Sequence, residues 1–134
     1  MADGHLWPLR VYYEDTDAGG IVYYANYLKF VERARTELLR EHGIDHQRLL
    51  ADNGLFFAVR DCTIDYLRPA RLDDALGLRT RVVEISAAAI RIEQTVLRGE
   101  EELVRVGLRI VCLRQDGRPA RLPGAVREAV AAYQ

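Results

Sequence analysis

Lysine is almost missing from this chain: Lys29 is the only one among 19 basic residues, and 20 acidic residues bring the formal net charge to −1. That balance excludes the broad basic surface of a nucleic-acid binder, so no nucleic-acid partner is expected. The arginine excess is what a GC-rich coding genome produces. It also suits phosphate and carboxylate recognition, because a guanidinium donates two parallel hydrogen bonds. Cysteine is nearly as scarce. Cys62 and Cys112 are far apart and lack the paired spacing of a zinc site, so no metal is expected. Both lie in apolar, strand-like runs, which predicts buried, reduced thiols and no disulfide. No apolar run reaches the length of a membrane span, and "MADGHLWPLR" has no signal-peptide core. A cytoplasmic location without membrane insertion is expected. There is no repeat, low-complexity tract or linker, so residues 1–134 are expected to form one domain. A composition 49% hydrophobic and 29% charged is that of a globular chain.

The hydrophobic pattern predicts one strand, one long helix and four further strands. "LRVYY" reads as a short strand. From Tyr27 the apolar positions Tyr27, Phe30, Val31, Ala34 and Leu38 form one helical stripe. Asn26 is the expected N-cap and Gly43 the stop signal. "LFFAVRDCTIDYLRPA", "ALGLRTRVVEI", "AIRIEQTVLR" and "ELVRVGLRIVCLR" alternate with period two or run apolar, as strands of a one-face-buried sheet do. A bulge is expected within the first of these. "RGEE" reads as a hairpin turn, and "PGAVREAVAAY" as a short terminal helix. The whole is α+β, with the helix lying across one face of an antiparallel sheet.

The unusual segment is "VYYEDTDAGGIVYYANY", residues 11–27. It crowds Glu14, Asp15 and Asp17 beside Gly19 and Gly20, with five tyrosines, immediately before the long helix. A helix N-terminus presents free N–H donors and a partial positive charge of about half a unit, suited to a developing oxyanion. A carboxylate held near it across a glycine turn can attack a carbonyl or activate water for attack. Asp17 is the candidate. Glu14 and Asp15 are read as scaffolding for the turn, and Gly19 and Gly20 as residues permitting unusual backbone angles. Tyr23 and Tyr27 are read as core or pocket wall. No Ser-His-Asp set competes, because His5, His42 and His46 lie outside any nucleophile motif. Glu32 and Glu37 on the helix are read first as a solvated face.

"YYEDTDAGGIVYYANYLKFVERARTELL", with "DYLRPARLDD" at 65–74, resembles the 4-hydroxybenzoyl-CoA thioesterase family, in particular its Tol–Pal-associated acyl-CoA thioesterase branch. The resemblance implies a hotdog fold: a five-stranded antiparallel sheet wrapped around a central helix, with a short C-terminal helix here. It further implies a homodimer or homotetramer and hydrolysis of acyl-CoA to a free acid and CoA, with CoA part of the substrate and no cofactor. Asp17 matches the family's catalytic carboxylate. Tyr24 stands where many members of the branch carry His, so its expected contribution is through the backbone N–H at the helix start. Gly19, Gly20, Asn26 and Tyr27 are expected to line the substrate. Arg60, Arg68 and Arg91, together with Arg71, Arg118 and Arg121, are candidates for the CoA phosphates. The second reading is a non-catalytic module that binds acyl-CoA or acyl carrier protein. A third is a dehydratase or hydratase, which Tyr24 disfavours.

Overall fold

The computed structural model describes residues 4–134. Five strands form one antiparallel sheet: β1 (His5–Arg10), β2 (Leu55–Tyr66), β3 (Ala75–Ile85), β4 (Ala89–Arg98) and β5 (Glu101–Arg114), in the order β1-β3-β4-β5-β2. Three helices accompany it: α1 (Asn26–Glu41), α2 (His46–Asn53) and α3 (Gly124–Ala131). This is the hotdog arrangement that the resemblance implies.

The alternation in sequence sets the two faces of the sheet. On β4, Ile90, Ile92, Gln94 and Val96 are buried while Arg91 and Glu93 are exposed; on β5, Val104, Val106, Leu108, Ile110 and Cys112 are buried. The buried row meets the apolar stripe of α1: Tyr27, Phe30, Val31, Ala34, Leu38 and Leu39. Each large side chain buried there contributes about 1.5–3 kcal/mol relative to exposure. The predicted hairpin between β4 and β5 is a two-residue loop, Gly99-Glu100, with φ of +64° at Gly99 as a type II′ turn requires. The bulge expected in β2 falls between Val59 and Asp61, where Arg60 has no partner on β5.

Four local expectations are corrected. The first strand is "HLWPLR", not "LRVYY": Tyr13–Asp15 instead form a single 3-10 turn, because the Asp15 carboxylate accepts the Tyr12 N–H at 2.8 Å. Helix α2 was not foreseen. It buries little more than Leu49, so its stripe is weak, and it is fixed by the Asp45 cap at one end and by Gly54 (φ +66°) at the other. Asn26 is not the N-cap of α1. Ala25 occupies that position, and the Asn26 side chain turns away from the helix. Cys62 is exposed rather than buried, because β2 is an edge strand; Cys112 is buried as expected, and both thiols are free. Gly43 (φ +77°) does end α1, with its N–H donating to the Arg40 carbonyl and the Ile44 N–H to Leu39.

Candidate active site

The segment between β1 and α1 folds into a tight turn joined to the start of the helix. Thr16 pairs with Val22 as an antiparallel bridge. The Asp17 N–H donates to the Ile21 carbonyl at 2.9 Å, and the Gly20 N–H to the Asp17 carbonyl at 3.0 Å. Gly20 closes this turn with φ of +83°, a value that penalises any residue with a Cβ. Ile21 bridges Arg71, and the Val22 N–H donates to the Ala70 carbonyl at 2.9 Å, fastening the turn to the chain that leaves β2. The Asp15 carbonyl accepts two bonds, from the Tyr23 N–H at 2.9 Å and from Asn26 Nδ2 at 2.9 Å. Asp15 therefore scaffolds the turn, as expected. Asn26 does so too, through its amide rather than as a cap.

Asp17 lies on the exposed side of this turn. Its Oδ1 accepts the Gly19 N–H at 2.8 Å, which fixes the plane of the carboxylate; Oδ2 has no protein donor among the described residues. Gly19 has no positive φ, so the expectation that both glycines serve unusual backbone angles holds for Gly20 alone. What Gly19 supplies is space: a Cβ there would stand 3.2 Å from Asp17 Oδ1. Beyond Val22 the chain enters α1. The Asn26 N–H donates to Tyr23 and the Leu28 N–H to Ala25, whereas the Tyr24 and Ala25 N–H groups have no backbone acceptor among the described residues. Unpaired donors at a helix start, with the macrodipole behind them, attract a developing negative oxygen.

Aromatic rings frame this helix start. Tyr24 is 62% exposed, and its ring meets Tyr66 edge-on, 6.1 Å between centroids, and Tyr23 at 5.0 Å. Tyr66, at the end of β2, donates its hydroxyl to the Tyr24 carbonyl at 3.2 Å. Sequence reasoning missed Tyr66. The period-two pattern of β2 carried the signal, since Tyr66 shares the helix-facing row with Cys62 and Ile64 through its pairing with Val104. For Tyr27 the core reading holds, and the expectation that it lines the substrate is corrected. At 2% exposure it belongs to the core, with its hydroxyl accepting the Ala70 N–H at 3.0 Å, and it offers no surface to a ligand in this chain. Burial raises its phenol pKa, and the Ala70 bond opposes that rise.

The candidate arginines are scattered. Arg68, two residues past Tyr66, lies beside the turn; its N–H donates to Leu103 at 3.0 Å and its side chain pairs with Glu101 at 3.3 Å. Arg60 occupies the β2 bulge. Arg91 stands opposite Glu84 and Arg109 on the face of the sheet away from α1. The structure therefore brings Asp17, Gly19, Gly20, Tyr24, Asn26 and Arg68 to one end of α1, and leaves Arg60 and Arg91 elsewhere in this chain. No cluster of three metal-ligating side chains occurs among the described residues, and no helix among them is long and apolar enough to cross a membrane.

The sequence pattern of the thioesterase-like superfamily matches residues 11–130. The chain is 43% identical over 130 residues to the acyl-CoA thioesterase YbgC of Haemophilus influenzae, covering 96% of each chain. It is 42% identical over 122 residues to the acyl-CoA thioester hydrolase YbgC of Escherichia coli O157:H7, covering 90% of each. Among solved structures it is similar to the "probable thioesterase" of Bartonella henselae, with a TM-score of 0.85 and 40% identity over 89% of this chain and 98% of that one.

Proposed function

The chain belongs to the thioesterase-like superfamily and is a thioester hydrolase that acts on acyl-CoA; from that premise we propose that Asp17 and the first turn of α1 perform the hydrolysis. The observation that carries the reading is one continuous hydrogen-bonded unit. The Asp15 carbonyl holds both Tyr23 and Asn26 at the helix start, while the next residues of the same loop present Asp17.

In this reading the thioester carbonyl oxygen lies against the unpaired Tyr24 and Ala25 N–H groups, which stabilise it as it gains negative charge. Asp17, oriented by the Gly19 N–H, uses Oδ2 in one of two ways. It attacks the carbonyl carbon, releasing the CoA thiolate and leaving an anhydride that water then opens. Alternatively it takes a proton from a water that attacks directly. Both routes give a free acid and CoA. Tyr24 acts through its backbone N–H and through its ring as a wall. Asn26 positions the loop. Gly19 leaves room for the carboxylate, and Gly20 permits the turn.

The unpaired outer edge of β2, with exposed side chains along it, supports pairing with a second copy, as a dimer or a doubled dimer. Arg68, with Arg60 and Arg91 brought near by such a partner, would then meet the CoA phosphates. Similarity to the YbgC enzymes supports the Tol–Pal-associated branch. Thiol release from a panel of acyl-CoAs, including benzoyl-CoA, tests the reading; absence of turnover across the panel would reject it in favour of a binding module.

A further inference from the structure

Away from Asp17, a cavity of about 330 Å³ opens between the later turns of α1, the helices α2 and α3, and the helix-facing side of the sheet. Its walls are mostly apolar, with Leu38, Leu49, Phe57, Val82, Ile110 and Val126 among them. The volume falls in the range of small-ligand sites. At about 30 Å³ for each water-sized group, it takes roughly ten methylenes.

The charged and titratable groups on the cavity are few. Glu32 lies one turn before Arg35 on α1 and is exposed. His46, from α2, tilts over Phe57 at 6.0 Å between ring centroids. Arg35 is the exception to ordinary surface pairing. One of its terminal nitrogens donates to Gln94 Oε1 at 2.9 Å, and the guanidinium forms no ion pair among the described residues. Gln94 is fully buried and held by the Val31 carbonyl and the Thr80 hydroxyl, so it fixes Arg35 in place and brings no charge. Burial lowers the Arg35 pKa, with Glu32 acting in the other direction. A guanidinium held at the wall of an apolar cavity without a carboxylate partner is costly unless an anion joins it. Most arginines of this chain, by contrast, sit at exposed positions.

We propose that this cavity binds an unbranched aliphatic carboxylic acid of about eight to ten carbons, its chain against Leu38, Phe57, Val82 and Ile110 and its carboxylate on Arg35. A carboxylic acid is the product of the proposed hydrolysis, and the inference rests on that reading only for the source of the acid. The head group separates the two possible sources of an aliphatic chain. A free acid presents an anion to Arg35, whereas a thioester-linked acyl chain presents a neutral carbonyl.

The test is calorimetric titration of the full chain with octanoate, with 1-octanol, and with the non-hydrolysable thioether S-octyl-CoA. Octanoate should bind saturably, once per chain. Arg35→Met should weaken octanoate at least tenfold and leave octanol within about twofold, while Arg35→Lys should keep most of the octanoate affinity. Val82→Phe, which fills the cavity, should abolish binding of both octanoate and octanol. Three results would overturn the proposal: no saturable octanoate binding, octanoate binding that survives Val82→Phe, or an equal loss of octanoate and S-octyl-CoA on Arg35→Met. If Val82→Phe does not fold, the Arg35 pair decides alone. None of these measurements needs turnover, so a failure here leaves the thiol-release test standing, and the reverse holds too.

Discussion

The Tyr66 hydroxyl donates to the Tyr24 carbonyl at 3.2 Å, which ties the last residue of the edge strand β2 to the peptide that precedes α1. That bond fixes the orientation of the backbone presenting the Tyr24 and Ala25 N–H groups. Tyr66→Phe keeps the ring packing against Tyr24 and removes only the donor. A neutral hydrogen bond contributes about 0.5–1.5 kcal/mol, so kcat should fall roughly three- to tenfold, with KM and the melting temperature little changed. Steady-state thiol release with a parallel melting curve checks this. An effect confined to the melting temperature would mean that the bond is structural only.

The two glycines of the turn should respond differently to the same substitution. Gly20 has φ of +83° with open space around it, so Gly20→Ala should cost about 1–2 kcal/mol of stability through backbone strain. Gly19 has no such φ, but its added methyl would crowd Asp17 Oδ1. Gly19→Ala should therefore lower kcat more than stability. Denaturant unfolding and thiol release on both variants give the comparison.

Gln94 is a fully buried amide that bridges α1 and β3, bonded to Arg35, the Val31 carbonyl and the Thr80 hydroxyl. Gln94→Leu is close in volume and removes all three bonds, leaving buried partners unsatisfied. The expected loss is about 1–3 kcal/mol, read as a lower denaturant midpoint with an unchanged slope.

Asp74 gives the fold a dependence on acid. Burial alone would raise its carboxyl, but the Arg71 N–H and the Arg98 guanidinium, each at 2.8 Å, outweigh burial and hold the pKa below the ordinary value. The unfolded chain then binds the proton more readily than the folded one. The contribution is complete well above pH 4 and is lost as pH falls through the folded pKa. Melting temperatures should drop as pH falls below about 4, and Asp74→Asn should be less stable at neutral pH and show a shallower drop.

Much of this architecture was legible in the residues. The alternation of "AIRIEQTVLR" and "ELVRVGLRIVCLR" sets one buried face each, and a one-residue slip would have put Arg91 and Arg109 in the core, so the register follows from the pattern. Gly43 and Gly99 mark real chain reversals for the same steric reason. Helix α2 escaped because so short an element buries little beyond Leu49, and its Asp45 cap and Gly54 stop are weak signals without a stripe between them. The site was harder to read. Asp17 stands out in the motif, but the parts played by Asn26 and Tyr66 depend on which carbonyl, Asp15 or Tyr24, the fold brings beside them. Tyr27 was marked as buried by its place in the apolar stripe of α1, whereas Tyr23 and Tyr24, which precede the helix, had no periodic pattern to show that they are exposed. The wide scatter of arginine hid Arg35 among surface charges.

The central claim is that the Asp17 carboxylate does the chemistry, and Asp17→Asn tests it most directly. The amide can keep the Gly19 bond at Oδ1, and so the geometry of the turn, while removing the charge that attacks or accepts a proton. General-base chemistry is worth about 10²–10⁴-fold. Thiol release from the best acyl-CoA of the panel should fall by that factor, with the melting temperature and the binding of S-octyl-CoA unchanged. An Asp17→Asn enzyme with full turnover would contradict the account.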